Sequence, residues 1–415
     1  MTFRDLLSVS SPRGIVLAFV FAVQGVPAIA EAQITPSASS APSSSPEPVS
    51  PSPRFRAGLD EGLAIDSADG RFGVQFGTLI QYRIRADEDR AHAIHPYFNS
   101  YNVRPQLRMH AFGDRLRVFV QPEIAGETAR LLDLEITYQP HPSFRIRAGQ
   151  FLTPFSRAYL TPVPLMRFAN FGPANDAFRM NRDTGVMLFG TPLDGKLEYD
   201  LGVFNGTGID RRTTDPVRLL GMARLQVAPL GTVPYDGTPH VRASQPLRFA
   251  IAANGYAGQS LPRKYAVDPV TGNNVDIDGP RRDFQAIGGD FVVVARRFQL
   301  TGEAYLRHDR IASTVAGGSA TNLDSWGAQI EAGQFIAPAK LELAARFAFV
   351  DPNVERANDY VVSYEAGLHY YVQGNHVKLR LDVQHIRTGA YAPTSLGYLA
   401  GTRQERLLLD AQVFF

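Results

Sequence analysis

Arginine is the residue type in this chain whose side chain is best suited to do chemistry. The 415 residues include 38 arginines and only four lysines, although the formal net charge is just +2. A guanidinium group can bind an oxyanion through two parallel hydrogen bonds, whereas the ammonium group of lysine acts as a point charge. The excess indicates either a use in oxyanion binding or the codon habit of a GC-rich genome, and composition does not separate the two.

Motifs for catalysis are absent from the sequence. There is no cysteine, which excludes disulfide frameworks, thiolate zinc sites and thiol nucleophiles. His92 and His95 have the spacing of two metal ligands, but no third histidine or acid follows them in motif spacing. No nucleophile elbow, zinc-protease helix or phosphate-binding loop is present. The sequence predicts no enzyme, no cofactor and no metal site.

Alternation of apolar and polar residues is the main pattern along the chain. Residues 72–85 place apolar and aromatic side chains on one face and glutamine and arginine on the other. A two-sheet sandwich also alternates, but its strands have about 5–6 residues, whereas a tilted membrane strand needs about 9–11. Several runs here reach the membrane length. Aromatic residues near strand ends are typical of the interfacial girdles of a membrane barrel, and the candidates are Tyr82, Phe112, Tyr138, Phe204, Tyr370 and Phe415.

The pattern predicts an all-β fold, a transmembrane antiparallel β-barrel of about sixteen strands. The predicted strands cover residues 71–86, 101–112, 115–125, 131–139, 143–151, 183–190, 196–204, 217–228, 247–254, 284–295, 298–308, 325–335, 340–350, 359–372, 376–387 and 404–415. Short turn sequences alternate with long connections, of which residues 87–100 are the first, as in a barrel with one rim of turns and one of loops. Residues 229–246 are long where a short turn is expected, so the strand count stays open by about two.

The two ends of the chain indicate a compartment. Residues 1–32 have the features of a secretory signal peptide, with Arg4 and Arg13 before a short apolar stretch. Residues 33–56 are rich in serine and proline and are expected to be a disordered spacer, a candidate contact with a periplasmic partner or the cell wall. The barrel then covers residues 57–415, and its last alternating strand ends on a phenylalanine, as in bacterial outer-membrane barrels. Together these features predict export to the bacterial outer membrane.

Three stretches carry a resemblance to a known family. They are GLAIDSADG at 62–70, VRPQLR at 103–108, and RAGQFLTPFS at 147–156 with RDTG at 182–185 and GVFNG at 202–206. In this order, and across residues 58–415, the chain resembles the phosphate-selective porin O and P family. The resemblance implies a sixteen-stranded, trimeric outer-membrane pore whose third long loop, here 152–182, folds inward as a constriction.

Two positions depart from the family pattern. Thr78 stands where phosphate-selective members have an arginine just after a glycine pair. Pro105 stands in place of the second arginine of a doublet that begins at Arg104. Two of the anion ligands that the family pattern would supply are therefore missing. The resemblance implies the architecture of the pore but not its phosphate specificity.

Arginines are the expected lining of such a pore. If the apolar faces meet lipid, the strand arginines must face the lumen, because an arginine at the bilayer midplane costs about 2–4 kcal/mol. The expected pore-lining and anion-binding residues are Arg83, Arg104, Arg108, Arg145, Arg147, Arg157, Arg167, Arg179 and Arg182. Rows of guanidinium groups would attract anions, such as phosphate or similar oxyanions, and repel cations. The expected partners are small anionic solutes, outer-membrane lipid and further copies of the chain in a homotrimer, with no nucleic acid.

Three alternatives stay open at this point. Lumen acids such as Glu135 and Asp200 could pair with the arginines and leave a general, weakly selective porin. The barrel could instead serve as an adhesin or a structural anchor that holds a periplasmic partner through residues 33–56. A secreted β-sandwich, which binds carbohydrate or acts as an enzyme, would explain the alternation without a membrane.

Overall fold

The computed structural model describes residues 52–89, 92–209, 219–241, 244–260, 263–267, 274–278, 281–313 and 318–415. The predicted signal peptide lies outside these residues, as does most of the predicted spacer. Strand β1, Arg54–Gly58, begins inside the segment predicted as spacer. It forms a hairpin with β2, Gly62–Asp66, and β2 pairs with the start of the first long strand.

Sixteen long strands of the described residues close into one antiparallel barrel. They are β3 (Gly73–Asp89), β4 (His92–Ala111), β5 (Leu116–Glu123), β6 (Arg130–His141), β7 (Phe144–Leu152), β8 (Arg182–Gly190), β9 (Leu197–Phe204), β10 (Leu220–Val227), β11 (Gln245–Ser260), β14 (Arg282–Arg296), β15 (Phe298–Ile311), β16 (Thr321–Ala337), β17 (Leu341–Asp351), β18 (Val361–Gln373), β19 (Val377–Thr388) and β20 (Arg403–Phe414). Each strand pairs with the next, and β20 closes the barrel on β3. Between β11 and β14, strands β12 (Arg263–Val267) and β13 (Asn274–Asp278) form a separate hairpin.

All sixteen predicted strands are confirmed, and the long connection 229–246 does not change their number. The prediction that residues 87–100 form a long loop is wrong, because β3 and β4 continue through most of them. Pairing of Ala86 with Pro96 and of Asp87 with His95 extends the ladder. In a membrane barrel, apolar alternation marks the part of a strand whose outer face meets lipid, so a strand end that extends beyond the lipid gives no such signal.

The two faces of the barrel wall differ as the alternation predicts. In β10, Leu225 and Val227 lie on the exposed outer face, while Arg224 and Gln226 are buried inside the barrel. Other large apolar residues exposed on the outer face are Ile251, Ile287, Leu306, Ile330, Leu343, Leu368, Leu381 and Leu407. Phe204 is an exception to the predicted girdle, since it is only 1% exposed and lies on the inner face of β9.

Two short helices interrupt the sheet pattern within the described residues. Helix α1 covers Arg157–Leu160 and helix α2 covers Pro173–Phe178, and both lie in the connection between β7 and β8. None of the helices in the described part of the chain has the length and apolar character needed to cross a membrane. The rim that holds the connections after β4, β6 and β8 is called the turn end. The opposite rim, with the connections after β5, β7 and β9, is called the loop end.

Candidate functional site

Residues 153–181, called the inserted loop, fold into the barrel from the loop end. Cationic side chains of the wall donate hydrogen bonds to main-chain carbonyls of this loop. These bonds join Arg83 Nη2 to Ala169 (2.5 Å), Arg346 Nη1 to Asn170 (3.0 Å), Lys378 Nζ to Pro164 (2.8 Å) and Arg380 Nη1 to Phe168 (3.1 Å). The wall fixes the course of the loop, and the predicted inward fold is confirmed.

One side of the inserted loop packs against aromatic residues of the wall. The rings of Phe155 and Tyr256 are 4.6 Å apart, and Phe178 of α2 stacks on Tyr305 at 5.5 Å. Both phenylalanines are fully buried in a cluster that also includes Phe204. This packing fills the barrel interior beside β11 and β15. Open space beside strands β3–β8 lies on the other side of the loop.

A second segment enters the barrel, this time from the turn end. Residues 228–241 after β10, called the inserted connection, meet the inserted loop inside the barrel. The Gly237 amide donates to the Leu165 carbonyl (3.0 Å), and Arg167 Nη2 donates to the Gly237 carbonyl (2.5 Å). Arg157 Nη2 donates to the Pro234 carbonyl (2.7 Å). These contacts explain why this connection is longer than a turn.

Three of the predicted pore-lining arginines are buried inside the protein. Arg83 is 3% exposed, and Arg157 and Arg167 are each 2% exposed. Their nearest side-chain partners are Asp410 for Arg83 (3.1 Å), Gln226 for Arg157 (2.8 Å), and Glu331 and Glu342 for Arg167 (2.7 and 2.9 Å). These three arginines depart from the expectation that they line the pore, because protein acceptors bind their guanidinium groups and solvent does not reach them.

The two buried arginines of the inserted loop, Arg157 and Arg167, differ in their charged neighbours. Burial lowers the pKa of Arg157, whose nearest acceptors are an amide and carbonyls. Burial also lowers the pKa of Arg167, but the carboxylates of Glu342 and Glu331 outweigh this, so its pKa is raised. Arg167 is therefore a buried, charge-paired residue of the inserted loop that bonds to both the wall and the inserted connection.

The other six predicted arginines line open space between the inserted loop and strands β3–β8. One cavity of about 460 Å³ lies toward the turn end and includes Arg108, Arg145 and Arg147 in its wall. A second cavity of about 440 Å³ lies toward the loop end, and its arginines include Arg104, Arg108, Arg147, Arg179 and Arg182. The two cavities adjoin, because both are lined by Arg108, Phe119, Glu135 and Arg147.

A third cavity of about 760 Å³ forms a vestibule at the loop end. Arg179 lines both this vestibule and the second cavity. Its guanidinium carbon lies 4.6 Å from the Tyr159 ring centre and 4.5 Å from that of Phe171, and Asp176 is 2.9 Å away. The three cavities therefore adjoin one another from the vestibule toward Asp114 at the turn end.

Arg108, Arg145 and Arg147 line the cavity toward the turn end together with Glu135, and all of these except Arg145 also line the second cavity; these three arginines are called the arginine cluster. Arg147 Nη1 lies 3.2 Å from Glu135 Oε2, and Arg145 Nη2 donates to Thr191 Oγ1 (2.9 Å). The Arg108 guanidinium has no carboxylate within 4 Å and no hydrogen bond among the described residues. The Nε atoms of Arg145 and Arg147 also find no acceptor there. Positive charge therefore exceeds negative charge at this point.

Other arginines along the cavities are paired with acids. Arg104 Nε lies 2.7 Å from Glu123, and Arg182 Nε lies 2.8 Å from Asp133. The cavities are also lined by Arg117, Arg130, Asp133 and Glu135, which are not among the nine arginines expected to line the pore. Asp133 and Glu135 could be predicted as lumen acids, because they alternate with the outward Leu134 and Ile136 in β6.

The two departures from the family pattern lie on the outer face of the wall. Thr78 and Pro105 pair directly across β3 and β4. Thr78 shares a face with Ile80, which is 44% exposed, while Leu79 between them faces inward and is buried. Arg104 precedes Pro105 on the inner face and lines the second cavity. Neither departure removes a guanidinium from the lumen of this barrel.

The described residues contain no group of histidines and acids arranged to hold a metal ion. His92 and His95 both lie on β4, at its loop end. The arrangement offers a set of adjoining cavities with arginine side chains on their walls.

Solved structures similar to this chain are outer-membrane barrels. OmpT of Vibrio cholerae, in its in-vitro folded trimer form, has a TM-score of 0.55 and 12% identity, covering 83% of this chain and 99% of that one. An anion-selective porin from Comamonas acidovorans has a TM-score of 0.56 and 12% identity, covering 83% and 100%. OprB of Pseudomonas putida has a TM-score of 0.54 and 12% identity, covering 82% and 94%. At this identity the likeness shows the fold alone.

Among curated protein sequences, none matches the chain significantly. A sequence profile of a family, described as phosphate-selective porin O and P, matches residues 112–396. That match covers more than half of the chain and lies within the barrel. With the closed sixteen-strand barrel, it points to a channel rather than an enzyme. The chain belongs to the phosphate-selective porin O and P family and is an outer-membrane porin.

Proposed function

We propose that this porin passes small hydrophilic solutes by passive diffusion and prefers anions, with phosphate and similar oxyanions among its solutes. The observation that carries the proposal is the arginine cluster in the cavity toward the turn end. All three of its guanidinium groups line this cavity with Glu135, and only Arg147 lies within 4 Å of that acid among the described residues. Low-dielectric walls strengthen the field of such a cluster, which attracts anions and repels cations.

A general porin is the second candidate, because much of the positive charge is balanced. Arg104, Arg147 and Arg182 each have a carboxylate within about 3.2 Å. A balanced wall would pass both signs of ion. Arg108 and Arg145 favour anion preference, since neither forms an ion pair with a carboxylate within 4 Å among the described residues.

The proposed assembly is a homotrimer in the outer membrane, exported through the predicted signal peptide at residues 1–32. Its support is the family and the described trimer form of the OmpT structure. The apolar outer face, with residues such as Leu225 and Ile287, fits contact with lipid or with a neighbouring copy. A contact of residues 33–56 with a periplasmic partner or the cell wall stays a prediction.

Planar-bilayer recording of the purified protein tests the proposal. We expect stepwise increases of conductance in KCl. Across a KCl gradient, we expect a reversal potential with the same sign as the chloride equilibrium potential. Sodium phosphate then tests whether phosphate also carries current. A reversal potential near zero would favour the general porin, and a potential of the cation sign would contradict anion preference. Absence of conductance would favour a structural anchor or an adhesin.

A further inference from the structure

The guanidinium groups of the arginine cluster contact aromatic rings more than carboxylates. The guanidinium carbon of Arg108 lies 5.0 Å from the centre of the Phe119 ring. Those of Arg145 and Arg147 lie 4.8 and 4.7 Å from the centre of the Phe189 ring. A guanidinium that stacks one face on a ring keeps its other face and its N–H edge for a ligand.

Both rings belong to the walls of the solute cavities. Phe119 lines the two inner cavities, and Phe189 lines the one toward the turn end. Both side chains are partly exposed. They sit opposite their arginines by strand register, since Arg108 pairs with Phe119 across β4 and β5, and Arg145 pairs with Phe189 across β7 and β8. The sheet itself therefore sets each ring beside a cation.

The same combination recurs nearer the vestibule. Arg179 lies over Tyr159 and Phe171, and all three line the second cavity. Apolar side chains such as Leu79 and Leu132 complete its wall. Cavities of about 300–1,000 Å³ with apolar, aromatic walls and a few placed polar groups are typical of sites for small organic molecules. Both inner cavities fall in this range.

We propose that the pathway favours planar aromatic carboxylates, a ring bearing one carboxylate, over compact inorganic oxyanions. This rests on the proposed function and names a solute class for the same cavities. The carboxylate takes the N–H edges of Arg108, Arg145 or Arg147, and the solute ring lies against Phe119 or against the open face of a guanidinium. A compact oxyanion uses the same N–H groups but leaves the rings facing water.

Permeability ratios measured on the purified full chain in planar bilayers test the solute class. Sodium benzoate is compared with sodium cyclohexanecarboxylate, which has the same charge and carbon skeleton size but no π face, and with sodium phosphate. We expect benzoate to exceed cyclohexanecarboxylate by about threefold or more, which is the effect of a single exposed cation–π contact. We also expect benzoate to exceed phosphate.

A double variant, Phe119→Leu with Phe189→Leu, removes both rings but keeps apolar volume. We expect it to lower the ratio of benzoate to cyclohexanecarboxylate, and any excess that remains reflects contact of the solute ring with a guanidinium face. The matched control is Phe249→Leu on the outer face of β11, which should keep the ratio of the unaltered chain. An unchanged ratio in the double variant would overturn the role of the rings.

The comparison on the unaltered chain decides the proposal even if the double variant does not fold. Equal permeability to benzoate and cyclohexanecarboxylate would overturn the aromatic preference. If the KCl gradient still gives an anion-selective potential, that result leaves the proposed function standing. A cation-selective potential in KCl would instead refute the proposed function itself, so the two failures are distinguishable.

Discussion

Arg147 Nη1 lies 3.2 Å from Glu135 Oε2, at the place where the two inner cavities share their lining. Among the described residues that line both cavities, Glu135 carries the only negative charge, and Arg108 and Arg147 are the cations. We therefore expect that a change of a single charge in this ion pair alters the ion selectivity of the pathway.

Replacing Glu135 with glutamine should strengthen anion preference. The change removes the acid that partly neutralises the arginine cluster and keeps the size of the side chain. Reversal potentials across a KCl gradient measure the shift, which we expect toward the chloride equilibrium potential. Glu355→Gln, at an exposed position in the connection after β17, is the matched control. A shift toward the potassium potential would contradict the placement of Glu135 in the ion path.

Arg167 and Arg179 belong to the same inserted loop, but substitutions of the two should differ in their effects on stability and on anion preference. Arg167→Met leaves Glu342 and Glu331 without their buried partner, so we expect a loss of about 3–5 kcal/mol in the free energy of unfolding. Arg179→Gln affects a guanidinium that lines two cavities, so it should weaken anion preference and change stability little. Denaturant unfolding and reversal potentials measure the two effects. Equal stability of the two variants would contradict the buried role of Arg167.

The contact between the inserted connection and the inserted loop can be loosened at Gly237. A Cβ atom at this position would lie 2.9 Å from the Arg167 nitrogen and 2.9 Å from the Leu165 oxygen, both in the main chain. Gly237→Ala must therefore push the two segments apart, and we expect noisier single-channel currents. Gly58→Ala in β1 is the control, because nothing lies within 4 Å of a Cβ there. Current noise equal to that of the control would show that this contact does not steady the channel.

The strands could be predicted from sequence because the membrane imposes a local rule. In β10 and β20, every second residue must tolerate lipid, so the alternation of residues such as Leu225 and Arg224, or Leu409 and Asp410, is visible without knowing the partner strand. The loop-end part of β3 and β4 could not be predicted in this way, because the alternation does not continue there.

The pore lining could be predicted only in part, because inward-facing arginines look alike in the sequence. Whether one meets solvent depends on partners far along the chain. Arg83 is bound by Asp410 and Ala169, and Arg167 by Glu342 and Gly237, while Arg108 has no such acceptor among the described residues. The inserted connection supplies the Gly237 carbonyl to Arg167 and the Pro234 carbonyl to Arg157, and its length is the only sign of it in the sequence.

The measurement that tests the central claim most directly is the reversal potential across a KCl gradient for the unaltered chain and for a variant with Arg108→Gln, Arg145→Gln and Arg147→Gln. Arg310→Gln, on the exposed outer face of β15, is the matched control. We predict an anion-selective potential for the unaltered chain and the control. The triple variant should lose this preference, because Glu135 then remains without the cluster. An unchanged anion-selective potential in the triple variant would contradict the account.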